Sequence, residues 1–218
     1  MPYVFDAYGT LFDFHAAVSR HHAACGPDAT AFSELWRQKQ IEYTWTHTLS
    51  GRYVQFWTLT QRALDYCFER FPSVDRKLRP ALLDAYFKLD AYPDAFAVLR
   101  ELKSRGEQTA ILTNGSPAMV GAAVEAAGLK DVLDAVLSID AVRKFKTAPE
   151  TYALVTAQFY CSPTDVTFVS SNRWDAFGAT AFGFRTVWVN RMKGPDEYPD
   201  FPPAAVVDSL TALLSAKI

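Results

Sequence analysis

Apolar and polar positions along the chain fall into two textures. From about His15 to Asp90, apolar residues recur at intervals of three and four, the spacing that lines one face of a helix. "FSELWRQKQIEYTWTHTL" sets Phe32, Leu35, Trp36, Gln40 and Tyr43 at that interval, and Ser33 is suited to start the helix. "RYVQFWTLTQRALDYCFERF" repeats the pattern with aromatics on nearly every turn. "VDRKLRPALLDAYFKL" predicts a further helix or pair of helices. No convincing strand interrupts this stretch, so it predicts a helical bundle packed on aromatic faces.

After "AYPD" the texture becomes an alternation of strands and helices. "AFAVLRELKSRG" predicts a helix stopped by Gly106, "QTAILTNG" a strand, and "PAMVGAAVEAAGL" a helix with Pro117 in its first turn. Then follow strand "AVLSID", helix "PETYALVTAQFY", strand "VTFVSSN", a short helix in "WDAFGATAFG", strand "RTVWVN" and a last helix in "DSLTALLSA". "KGPDEYPDFPP" reads as a proline-rich surface loop. Such alternation implies a parallel sheet wrapped by helices, and the buried strand at Tyr3–Asp6 belongs with it. The expected fold is therefore α/β, a Rossmann-like parallel-sheet core with a helical bundle inserted after its first strand. The boundaries are residues 1–13 and 91–218 for the core and 14–90 for the helical cap.

Composition narrows the function classes. The 218 residues are 50% hydrophobic and 21% charged, with a net charge of −2, which suits a soluble globular protein with a sizeable core. Near-neutral charge provides no electrostatic footprint for nucleic acid or a membrane surface. No apolar run approaches the roughly 20 residues needed to span a bilayer, and "MPYVF" lacks the basic flank of a signal peptide. Cys25, Cys67 and Cys161 are far apart and form no C-x-x-C pair, so reduced thiols and a cytoplasmic location are expected. His15, His21, His22 and His47 have no acid or cysteine at metal-ligand spacing.

Ligands of open α/β sheets bind at the carboxyl ends of the strands. The first predicted strand delivers Asp6 there, followed by Tyr8, Gly9 and Thr10. The second ends at Thr113 and Asn114, Lys146 follows the third, and the fourth ends in Ser170, Ser171 and Asn172 with Asp175 just beyond. Singly, Thr113 or Ser171 could cap a helix and Lys146 could be a solvated charge. Asp6 is harder to explain that way, because a carboxylate buried without a partner costs several kcal/mol and requires a cation and donors close by. Together these groups predict a site.

"FDAYGTLFD", "WRQKQIEYTW", "LTNGSP", "FKTAPETYAL" and "FVSSNRWDAFGA" together resemble the haloacid dehalogenase superfamily, specifically its L-2-haloacid dehalogenase branch, over almost the whole chain. Phosphatases of that superfamily carry an acid two residues after the nucleophile, to protonate an alkoxide, and use magnesium held partly by an acid in the fourth-strand motif. Here Tyr8 and Ser171 stand at those positions. Halide is a weak base that leaves without a proton, so both changes suit dehalogenation.

The resemblance implies a metal-independent hydrolase without a cofactor, acting on small 2-haloacids. Asp6 would be the nucleophile, Lys146 the cation that keeps it ionised, and Asp175 the activator of the hydrolytic water. Thr10, Ser170 and Asn172 would hold the nucleophile's oxygens, and Tyr152 would steady the site. Arg37, Asn114 and Trp174 would cradle the halide, and Thr113 the substrate carboxylate. Tyr8, Ile41, Phe56 and Trp174 would wall in the alkyl group. A homodimer is implied as well. Three positions depart from the branch: Thr113 replaces the usual serine, "FKTAP" lacks the proline that commonly follows the lysine, and Arg173 replaces a small or neutral residue, facing either solvent or the site entrance. The alternatives are a magnesium-dependent small-molecule phosphatase and a receiver-type phospho-accepting module.

Overall fold

The computed structural model describes residues 1–217. The chain begins with β1 (Pro2–Phe5), then runs through α1 (Ala16–Ser19), α2 (His22–Cys25), α3 (Ala29–Leu49), α4 (Phe56–Arg70) and α5 (Arg79–Phe87). Next come α6 (Ala95–Ser104), β2 (Gln108–Thr113), α7 (Pro117–Ala126), β3 (Ala135–Ser138), α8 (Pro149–Phe159) and β4 (Thr167–Ser170). The chain closes with α9 (Arg173–Phe182), β5 (Arg185–Val189), β6 (Ala205–Val207) and α10 (Leu210–Leu213). No described helix is long and apolar enough to cross a membrane.

All six strands are parallel, in the order β3-β2-β1-β4-β5-β6. The chain winds outward from β1 in one direction through β2 and β3, and in the other through β4, β5 and β6. The winding reverses between β1 and β4, and the crevice at such a reversal is where α/β sheets hold ligands. Phe5 pairs with both Ile111 and Val169, so residue 6 emerges in the centre of the sheet's carboxyl edge. The alternation of apolar strands and amphipathic helices underlies this arrangement, since parallel strands need crossover connections, here helical in every case but the β5–β6 loop.

The helical stretch is held by aromatic packing with satisfied polar groups inside. Phe32 meets Phe68 edge-on with ring centroids 5.3 Å apart, and Trp36 lies 5.2 Å from Tyr86. Trp36 donates its indole N–H to the Thr60 carbonyl at 2.9 Å, and Gln40 bonds the Thr60 hydroxyl at 3.1 Å. The two chain crossings between this bundle and the sheet lie side by side: Tyr92 N–H donates to Leu11 O at 2.8 Å and Asp13 N–H to Asp90 O at 2.9 Å. One apolar core runs across this junction, from Phe5 and Ile111 through Tyr8 and Phe12 to Phe32 and Trp36.

Three local details differ from the sequence reading. Helix α3 begins at Ala29, so Ser33 lies inside it, buried, with its hydroxyl bonded to His15 Nδ1 rather than capping the helix. A sixth strand, Ala205–Val207, follows the proline-rich loop and pairs with β5. The last helix is a single turn, Leu210–Leu213.

Candidate active site

Asp6 follows directly from β1, and its N–H donates to Val169 O at 2.9 Å, which continues the ladder by one residue and fixes where the carboxylate points. The turn behind it closes through Gly9, whose φ of +92° is open to glycine at no steric cost, and whose N–H reaches Phe12 O at 2.7 Å. Thr10 Oγ1 then donates to Asp6 Oδ2 at 3.1 Å while accepting Ser171 N–H at 2.8 Å, tying the β1 turn to the end of β4. Asn172, at the start of α9, donates from Nδ2 to Asp6 Oδ2 at 2.7 Å and to Tyr8 O at 2.9 Å.

Lys146 supplies the cation. Its Nζ donates to Asp6 Oδ1 at 3.0 Å and to Asp175 Oδ2 at 2.8 Å, so one ammonium joins two carboxylates. Asp6, Lys146 and Asp175 are 5%, 1% and 0% exposed, which makes the ion triad dry enough for its charges to act strongly on one another. The backbone that carries Lys146 is held from two sides, by Asn114 Oδ1 accepting Lys146 N–H at 3.0 Å and Thr48 Oγ1 accepting Phe145 N–H at 3.1 Å. Tyr152 completes the cluster, donating its hydroxyl to Asp175 Oδ1 at 2.8 Å.

Burial and charge set the protonation of these groups. Burial raises the Asp175 carboxyl most, the Lys146 ammonium opposes this, the Asp6 charge adds to it, and the result is pushed up to about 6. For Lys146 burial works downward, but the charges of Asp175 and Asp6 and the hydrogen bonds to both outweigh it, and the ammonium is held more firmly than usual. Tyr152 and Tyr8 are raised well above the ordinary phenol range, chiefly by burial, so both stay neutral.

The remaining candidates fall into three groups. Ser170 makes no hydrogen bond to Asp6: its Oγ accepts Asn172 N–H at 3.1 Å, because the turn after β4 uses the hydroxyl to orient the asparagine. Thr113 likewise accepts Gly115 N–H at 3.0 Å at the start of the next turn. Tyr8 is buried with its hydroxyl unpartnered, and its ring lies 6.0 Å from Phe56 and 5.7 Å from Tyr86. A Cβ on Gly115 would come within 2.8 Å of that ring, so "NGSP" carries glycine where the tyrosine needs the space. Arg37 extends from α3 to Tyr8 O at 3.3 Å, lies over the Phe14 ring and is in no ion pair among the described residues. It lines a cleft of about 330 Å³ with Ile41, Asn172 and Trp174.

Arg173 points neither to solvent nor into the entrance. Its side chain is buried, bonding Asp196 Oδ1 at 2.6 Å, Tyr198 O at 2.6 Å and Phe201 O at 2.9 Å, so it pins the proline-rich loop to α9. Several contributors escaped the sequence reading. Trp45, one helical turn beyond Ile41, meets Trp174 edge-on at 5.8 Å. Tyr53 bonds Asp140, and its ring lies 5.5 Å from Phe145 beside the lysine. The i, i+4, i+8 spacing of Arg37, Ile41 and Trp45 is the signal that could have found Trp45.

Comparison with known proteins decides the family. The model for haloacid dehalogenase-like hydrolases matches residues 3–183. The chain belongs to this family, in its L-2-haloacid dehalogenase branch. (S)-2-haloacid dehalogenase 1 of Pseudomonas sp. (strain CBS-3) is 46% identical over 211 residues, covering 96% of this chain and 93% of that protein. (S)-2-haloacid dehalogenase 4A of Burkholderia cepacia is also 46% identical, covering 96% of this chain and 91% of that protein. Among solved structures, the L-2-haloacid dehalogenase from Xanthobacter autotrophicus with chloropropionic acid covalently bound superimposes with a TM-score of 0.86 at 37% identity, covering 97% of this chain and 96% of that one. A neutral Tyr8 and a lysine between two carboxylates thus belong to a haloacid dehalogenase-like hydrolase.

Proposed function

We propose that this hydrolase is an (S)-2-haloacid dehalogenase that cleaves the carbon–halogen bond of short 2-haloalkanoic acids through an ester on Asp6, with no metal taking part. A cap of residues 14–90 closes over a core of 1–13 and 91–218. The observation that carries the reading is the buried Asp6–Lys146–Asp175 triad, in which the ammonium occupies the space between the two carboxylates.

In the first step Asp6 attacks the carbon bearing the halogen from the side opposite the leaving group. A carbon–oxygen bond forms, the carbon–halogen bond breaks with its electron pair, and configuration inverts. Lys146, Thr10 and Asn172 hold the carboxylate so that its attack needs no rotation. The departing halide gains charge as it leaves, and Arg37, Asn114 and the edge of Trp174 are the groups we assign to receive it. Thr113 is assigned to the substrate carboxylate, and Tyr8, Ile41 and Phe56 to its alkyl wall.

In the second step water attacks the ester carbonyl of Asp6 and gives its proton to Asp175. As the tetrahedral species collapses, Asp175 returns that proton to the leaving alkoxide, which releases a D-2-hydroxy acid carrying the inverted centre, and loss of the second water proton to solvent restores the Asp6 carboxylate. Tyr152 keeps Asp175 oriented, and Ser170 acts through Asn172. A neutral Tyr8 is sufficient at the position of a phosphatase acid, because halide requires no proton. The branch likeness also supports a homodimer, to be checked by sedimentation, and three free cysteines are consistent with work in the cytoplasm.

The test is chloride release from (S)-2-chloropropionate with a chelator present. Release at an undiminished rate is expected, and its absence from folded protein would contradict the proposal. Asp6→Ala should lower release by four orders of magnitude or more while leaving the melting curve in place; alanine is the cleaner variant, since an asparagine can hydrolyse back.

A further inference from the structure

A second cleft, of about 560 Å³, lies beside the one that holds Arg37 and Asn172, and only two residues line both: Trp45 and Trp174. The first cleft reaches Asp6 through Asn172, which bonds the carboxylate at 2.7 Å. The second is lined in part by Lys146, whose buried ammonium bonds the same carboxylate at 3.0 Å. Beyond the lysine its walls are mostly apolar: Leu49 from the end of α3, Pro149 at the start of α8, Phe177 on α9, and Tyr198 from the proline-rich loop. The indoles meet edge-on with centroids 5.8 Å apart, one from α3 and one from α9, so the partition is made where the two halves of the molecule touch.

We propose that Trp45 limits the length of substrate the enzyme accepts. The second cleft is an alkyl subsite closed off by the Trp45–Trp174 pair. This inference rests on the 2-haloacid reading above and adds to it a residue and a chain-length limit. With the halide at Arg37, the alkyl wall formed by Ile41 lines the same cleft as Trp45, so a carbon chain laid along Ile41 extends toward the Trp45 indole. A longer chain then meets the ring of Trp45, and beyond it lies apolar surface that would otherwise face water. Trp45 can be changed without opening the core, because it is 39% exposed. The loop carrying Tyr198 is held firmly enough to act as a wall: Arg173 bonds its backbone, and Phe177 lies 4.9 Å from both Tyr198 and Phe201.

The experiment compares the parent protein with Trp45→Ala on (S)-2-bromopropionate and (S)-2-bromohexanoate, reading bromide release and separating kcat from KM. Each buried methylene adds about a fourfold factor to affinity, and the longer acid has three more. The ratio of kcat/KM for the hexanoate to that for the propionate should rise at least threefold in the variant, mostly through a lower KM for the hexanoate. Trp45→Phe, which keeps a ring against Trp174, should fall between parent and alanine. Trp45→Leu, which keeps apolar bulk at the helix surface, carries the same expectation as alanine should the alanine variant fold poorly. A rise below threefold in folded variants, with the parent active on the propionate, overturns the partition alone. A parent that releases bromide from neither acid overturns the dehalogenase reading, and the partition with it.

Discussion

Asp175 carries the sharpest consequence at the scale of single residues. Its carboxyl is pushed up to about 6, mainly by burial, and the negative charge of Asp6 is one of the contributions raising it. Esterification of Asp6 removes that charge, so the acid of the intermediate titrates no higher than that of the free protein. A protonated Asp175 is far too weak a base to take the water's proton. Hydrolysis of the ester, followed in a single turnover after rapid mixing, should therefore slow about tenfold per pH unit below an inflection no higher than about pH 6. A rate that climbs as the medium is acidified through that range would contradict the assignment of Asp175 as base. Asp175→Asn should release one halide per site in a burst and then stall, with the ester visible by mass spectrometry.

At the scale of elements, close approach matters more than any single hydrogen bond. Helix α9 begins beside Asp6's partner Asn172 and runs against the segment that follows Lys146. Their contact is so tight that a Cβ at Gly178 would lie 2.5 Å from Tyr152 Oη and 2.7 Å from Thr147 Cβ. Gly178→Ala should destabilise the fold by about 1–3 kcal/mol, displace Tyr152 from Asp175, and so slow ester hydrolysis more than halide release. Denaturant unfolding together with separate measurement of the two half-reactions checks it; equal slowing of both would argue against Tyr152 acting through Asp175. Part of this was legible beforehand. The period of apolar residues separated the bundle from the sheet, and the carboxyl ends of the strands put Asp6, Thr10, Lys146, Asn172 and Asp175 on one edge, where they do meet. Local hydrogen bonding was not legible: the hydroxyl oxygens of Ser170 and Thr113 each accept an N–H of their own turns, and Ser33 lies one helical turn inside α3. Strand β6 escaped because three residues after a proline-rich loop are too short to display a period.

Across the whole molecule, the site exists where two textures of sequence come together. The carboxyl edge of the sheet brings together Asp6, Lys146 and Asp175, while α3 supplies Arg37, Ile41 and Trp45 from one face. Helical spacing could place Trp45 on the face of Arg37 and Ile41 but not pair it with Trp174, which is 129 positions further along the chain and joined to it only by the tertiary contact. Arg173 is a similar case: its three partners lie in a loop without a period, and nothing in the local sequence says that the guanidinium turns inward. The helical bundle and the sheet are tied near the lysine by Thr48, which accepts Phe145 N–H, and by Tyr53, which bonds Asp140. All of this serves one chemical event, the bonding of a protein oxygen to the substrate's carbon. Heavy-oxygen water tests that event most directly, in a single turnover with enzyme in excess over (S)-2-chloropropionate. The first hydroxy acid formed should carry ordinary oxygen, and the label should appear in the peptide containing Asp6. Label found at once in the hydroxy acid, with none in that peptide, would mean that water attacks the substrate itself.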